Sequence, residues 1–76
     1  MNLKGGYGLT QKLRIAYLRK RALLTQEELA DRIGVTRPCL SQYETGRRRI
    51  PVSLLPRIRD ALGCTWEELF DERGEA

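Results

Sequence analysis

The side chains of this chain that could do chemistry fall in one short stretch, and what they offer is hydrogen bonding rather than bond making. Arg37, Ser41 and Gln42 recur at helical spacing, and Arg47, Arg48 and Arg49 follow as a run. A guanidinium can donate to both O6 and N7 of guanine, and a carboxamide can pair with N6 and N7 of adenine. Ser41 can donate or accept, Pro38 can only make apolar contact such as with a thymine methyl, and Cys39 lies near the edge of the same face. Covalent and metal chemistry lack the parts. The chain has no histidine and two cysteines, Cys39 and Cys64, too few ligands for a zinc site. There is no glycine-rich phosphate loop and no base beside either cysteine, so no catalytic residue, metal or cofactor is expected, and the chain does not read as an enzyme.

The residues flanking this stretch read as two short helices joined by a tight turn. Thr25-Gln26-Glu27-Glu28 is a capping box, with Leu24 and Leu29 placed to close over it as a hydrophobic staple. Leu29, Ala30 and Ile33 share one helical face, and Gly34 can take the left-handed conformation that ends a helix. Val35 turns inward, and Thr36 caps a second helix with Pro38 in its first turn, where a missing N–H costs little. Small Ala30 lets the two helices cross, and Leu40 and Tyr43 pin the second helix to the body before Gly46 closes it. Arg37, Pro38, Ser41 and Gln42 are left facing outward. The unit is a helix-turn-helix.

Around it the chain supplies three further helices. Residues 1–9 hold three of the seven glycines and read as a tail; Lys4 and Tyr7 would be an arm for DNA only if that tail orders. Thr10 is placed to cap a helix ending at Arg21 or Ala22, with Leu13, Ala16 and Tyr17 on one line and Ile15, Leu18 and Ala22 on a neighbouring one. After the arginine run, Ser53 is the expected cap of a helix with Pro56 in its first turn, Leu54, Leu55, Ile58, Ala61 and Leu62 on its apolar face, and Gly63 at its end. Thr65-Trp66-Glu67-Glu68 repeats the capping box and packs Leu69 and Phe70. The expected organisation is a tail over 1–9, one domain over 10–70 and an acidic tail over 71–76.

Seventy-six residues with 41% hydrophobic content make one small all-α domain. The net charge is +4 and unevenly spread: residues 1–63 sum to +8 and residues 64–76 to −4. A basic body suits a phosphate backbone or simply a solvated surface. No apolar run is long enough to span a membrane and nothing reads as a signal peptide, so a reducing, cytoplasmic setting is expected.

Arg19, LTQEELA at 24–30, Gly34, TRPCLSQYETG at 36–46 and ALG at 61–63 together resemble the phage repressor and Cro-like helix-turn-helix family, the xenobiotic-response-element type. The resemblance spans roughly residues 10 to 70. It implies a compact five-helix bundle of the lambda-repressor-like kind, helices 2 and 3 forming the motif, and a sequence-specific regulator of transcription, a repressor first, bound as a homodimer to an inverted repeat in double-stranded DNA. The recognition helix, 36–45, would enter the major groove. Base contacts would then fall to Arg37, Pro38, Ser41 and Gln42, and phosphate contacts to Gln26, Arg19, Arg47, Arg48 and Arg49. Arg19 would pair with Glu44, and Trp66, Phe70 and Leu54 would either meet a second copy or complete the core. Many members have glycine where this chain has Leu23, so the first turn is expected to run differently. Some relatives are antitoxins or adaptors that use the bundle to grip a protein partner, which stays the alternative. A redox role for Cys39 beside the reading face is a further, lesser alternative.

Overall fold

The computed structural model describes residues 14–70. Among them the chain forms α1 (Ile15–Arg21), α2 (Gln26–Ile33), α3 (Arg37–Thr45), a 3-10 turn (Val52–Leu54), α4 (Leu55–Leu62) and α5 (Trp66–Leu69). This is the all-α, five-helix bundle the sequence leads one to expect, with α2 and α3 as the helix-turn-helix. Thr10, Leu13 and the segments 1–9 and 71–76 lie outside the described residues, as do the expectations attached to them.

Local chemistry sets the helix boundaries. The Thr25 hydroxyl accepts from the Glu28 amide at 3.0 Å and the Thr25 amide donates to Glu28 Oε1 at 2.9 Å. Thr65 and Glu68 close the same reciprocal box at the start of α5, with both bonds at 3.0 Å. Each box satisfies amides that a helix start otherwise leaves unpaired. Leu24 and Leu29 are both buried behind the first box. Gly34 ends α2 at φ 82°, a backbone that calls for glycine, and a Cβ there would sit 3.2 Å from Arg57 Nη1, whose exposed end would have to shift slightly.

The structure departs from the sequence reading at three places. α4 is not capped by Ser53: the Leu54 amide donates to the Pro51 carbonyl, a 3-10 turn forms first, and α4 starts at Leu55 with no side-chain cap. Ser53 lies inside that turn, too early to reach the α4 amides. Tyr17, assigned to the apolar face of the first helix, is 44% exposed, with the Arg14 guanidinium 4.5 Å above its ring. The first turn does not run differently for want of a glycine. Leu23 itself takes the left-handed conformation, φ 62°, with its side chain 88% exposed.

All five helices feed one core. Ile15 and Leu18 from α1, Leu29 and Ile33 from α2, Leu40 from α3, Ile58 from α4 and Leu69 from α5 are fully buried. Each such side chain contributes roughly 1.5–3 kcal/mol of apolar transfer. α2 packs against both α3 and α4, so α3 is fixed to the bundle through its motif partner. Ile50, just past the arginine run, is also buried and ties that loop down. Burial likewise pushes the Cys64 thiol above its ordinary value.

Candidate nucleic-acid interface

The outward face of α3 is supported from beneath by one polar network. Glu44, near the end of α3, accepts from Arg19 Nε at 2.7 Å through Oε2 and from Gln26 Nε2 at 2.9 Å through Oε1. Arg19 comes from α1 and also donates through Nη1 to the Leu24 carbonyl at 2.9 Å. Gln26 begins α2, and its carbonyl oxygen accepts from Arg37 Nη1 at 3.2 Å. A chain of polar contacts thus runs Arg19, Glu44, Gln26, Arg37, joining three helices and both ends of α3. The carboxylate is nearly enclosed, with 6% side-chain exposure against 12% for Arg19. In such surroundings a charge-assisted, doubly bonded pair is much better defined than a surface ion pair.

At the start of α3 the Thr36 hydroxyl accepts from the Cys39 amide at 3.2 Å, and Arg37 and Pro38 are exposed. Ser41, Gln42 and Cys39 are half-buried on the same helix. Leu40 and Tyr43 lie on the inner side, where burial, with the Cys39 thiol beside it, pushes the Tyr43 hydroxyl up to about 12. Gly46, at φ 81°, turns the chain back after α3. The Gln42 carbonyl then accepts from the Arg47 amide at 2.9 Å and the Arg48 amide at 3.3 Å. That turn brings Arg48 Nε to 2.9 Å from Gln42 Oε1. Arg47, Arg48 and Arg49 are all exposed beside the end of α3.

The sequence-selected residues therefore fall into two groups. Arg37, Pro38, Ser41, Gln42 and the three arginines gather around α3, with Gln26 and Arg19 underneath. Trp66, Phe70 and Leu54 lie apart. Trp66 is 42% exposed and stacks on half-buried Phe70 at 6.1 Å between ring centroids, with the Arg59 guanidinium 5.0 Å over its ring. Leu54 is half-buried against the core. At the same end Arg21 Nη1 donates to Glu68 Oε2 at 3.0 Å, and that bond, with the Thr65 cap, holds the Glu68 carboxyl down to about 2.

Two relationships were not anticipated from sequence: Gln26 bridging Glu44 to Arg37, and Arg48 reaching back to Gln42. Spacings of 11 and 6 residues across a turn carry no periodic signal. Among the described residues no group of three or more potential ligands could hold a metal ion, and no helix is long and apolar enough to cross a membrane.

Proteins similar to this chain include regulators of transcription. A transcriptional regulator of the helix-turn-helix type from Methanothermobacter thermautotrophicus is 51% identical over 59 residues, 74% of this chain and 86% of that protein. Another, YqaE of Bacillus subtilis, is 36% identical over 58 residues, 76% of this chain, but the match spans only 48% of its own length. Among solved structures, the restriction-modification controller protein C.AhdI from Aeromonas hydrophila superposes with a TM-score of 0.70 at 32% identity, covering 75% of this chain and 86% of that one. The helix-turn-helix family model matches residues 15–69, from the first buried residue of α1 to the last of α5. With capping boxes and glycine turn in place, the chain belongs to the helix-turn-helix family of DNA-binding transcriptional regulators, of the Cro/C1 type.

Proposed function

We propose that the chain is a homodimeric repressor that recognises an inverted repeat, with α3 laid in the major groove. The observation that carries this reading is the Arg19, Glu44, Gln26 and Arg37 network, which holds the exposed start of α3 at a set tilt. Residues near that end of a recognition helix are the ones that meet base edges. Arg37 reads guanine through the donors Gln26 leaves free, with Pro38, Ser41 and Gln42 beside it. Arg47, Arg48 and Arg49 meet phosphates, together with Gln26 at the amide-rich start of α2 and, through the 12% of its side chain that stays exposed, Arg19. Trp66, Phe70 and the exposed part of Leu54 form the contact between copies. An exposed tryptophan on a small helical domain suits such a contact, because it offers a large apolar area at low entropic cost.

Two-fold dimers read half-sites about 34–36 Å apart, so the expected operator is an inverted repeat with centres roughly 10 bp apart. The test is selection of bound duplexes from a random pool by the purified protein and by Arg37→Ala. Enrichment of an inverted repeat whose preference relaxes at one position in the variant supports the reading. Absence of any enrichment overturns it and makes a protein partner, as for an antitoxin or adaptor, the next thing to seek.

A further inference from the structure

Arg48 stands where a loop arginine has no need to be for a phosphate contact alone. The left-handed turn at Gly46 and the two amides bonded to the Gln42 carbonyl fold the loop onto the end of α3. The Arg48 side chain then runs back along the helix and gives its Nε–H to Gln42 Oε1 at 2.9 Å. Near-ideal length and a charged donor make this the stronger class of hydrogen bond. It has a directional consequence. A carboxamide accepts at one end and donates at the other, and the guanidinium, which can only donate, fixes which end is which.

The geometry points to Arg48 as a specificity-setting residue that acts through Gln42, turning its amide so that the NH2 end, not the oxygen, is presented to the base. A free glutamine pairs with adenine by setting its oxygen on N6–H and its NH2 on N7, side by side. The Arg48 bond takes one of the oxygen's two lone pairs and holds it towards the loop, which disfavours that two-point contact. The NH2 end suits an acceptor edge instead: O6 and N7 of guanine, or O4 of thymine. The adjacent positive charge favours the same edges. Arg48 Nη groups remain able to meet a phosphate, so one side chain does two jobs. This inference rests on the reading that Gln42 faces the bases.

The test uses the same random-pool selection with three proteins: wild type, Gln42→Ala and Arg48→Ala. Gln42→Ala identifies the base position that Gln42 reads, as the one whose preference flattens. Wild type is expected to prefer guanine or thymine there, and Arg48→Ala to gain for adenine by roughly tenfold relative to wild type, as the freed amide makes its two-point contact. In Gln42→Ala/Arg48→Ala the gain disappears. Arg48 is exposed and outside the core, so folding is not at stake, and the melting temperature checks that. A wild-type preference for adenine at that position overturns the inference. So does an Arg48→Ala variant that weakens all sequences equally, which is what a phosphate contact alone would give. Absence of sequence preference in the wild type overturns the reading of the function and this inference with it.

Discussion

Arg19 on α1 donates to Glu44 on α3 at 2.7 Å across 25 residues of chain, tying α3 to α1 as well as to its packing partner α2. Glu44 spends its other oxygen on Gln26, so one carboxylate anchors α3 to both α1 and α2. Glu44→Ala should therefore lower stability by about 3 kcal/mol, because it leaves Arg19 enclosed without its counter-charge. Urea unfolding reads this as a lower midpoint. DNA affinity at a temperature where the variant is fully folded should also fall, and retained affinity would show that the network does not position α3.

Leu23 should be better replaced than kept. A side chain in the left-handed region costs roughly 1–2 kcal/mol, which glycine avoids, and glycine gives back part of that gain through the freer unfolded chain. Leu23 buries almost none of its side chain in return. Leu23→Gly should stabilise by about 1 kcal/mol, seen as a higher urea midpoint with an unchanged slope.

Gly34→Ala and Gly63→Ala separate strain from crowding. Both positions are left-handed, but a Cβ on Gly34 meets Arg57 at 3.2 Å while one on Gly63 meets nothing within 4 Å. Each substitution should destabilise by about 1 kcal/mol from backbone strain. The loss at Gly34 should be the larger. Adding Arg57→Ala should return Gly34→Ala to the Gly63→Ala level, and failure to do so would place the extra cost in the backbone.

Two groups should contribute at opposite ends of the pH profile. Glu68 titrates near 2 in the folded chain, below its ordinary value of 4.5, because Arg21 and the Thr65 cap favour its charged form. Its contribution is present above about pH 4.5 and is lost as pH falls towards 2. Glu68→Gln should flatten that acid limb. Tyr43 is raised from 10.0 to about 12 by burial, so its neutral form is favoured in the fold. Its contribution is present below pH 10 and is lost as pH rises towards 12, and Tyr43→Phe should flatten the alkaline limb. Thermal melts across pH check both.

Salt dependence measures the arginine loop. A dimer neutralising about eight phosphates should bind its operator with a log-log slope near −7. Arg47→Ala or Arg49→Ala, present once in each copy, should each reduce that slope by about two. A wild-type slope near −2 would leave the loop without its phosphates.

The helix-turn-helix was legible in sequence because its boundaries are local. Thr25 with Glu28, Thr36 with Cys39 and Gly34 act within four residues, and the structure shows each bond or turn. Leu23 was not legible, since propensity argues against leucine in a left-handed turn and only the packing on either side imposes it. Ser53 misled because a hydroxyl before a helix resembles a cap even where a 3-10 turn intervenes. Arg19 and Glu44 came from the family resemblance, whereas the Gln26 and Arg48 contacts depend on which partner a long side chain finds in three dimensions. Trp66 keeps its two readings: it stacks on Phe70 and lies under the Arg59 guanidinium, yet stays 42% exposed.

The left-handed turns at Leu23, Gly34, Gly46 and Gly63 also bear on how fast the domain assembles. Each closes a helix within its own last turn, so these four junctions form from contacts within a few residues. Helical domains dominated by such short-range contacts reach the native state in microseconds to milliseconds. The slowest closure is the one between α1 and α5, where Arg21 must find Glu68 across 47 residues and Arg14 must find its carbonyl across 54. By the same loop-closure argument the end of the domain that carries Trp66 should form last and open first, after the α2–α3 unit is complete.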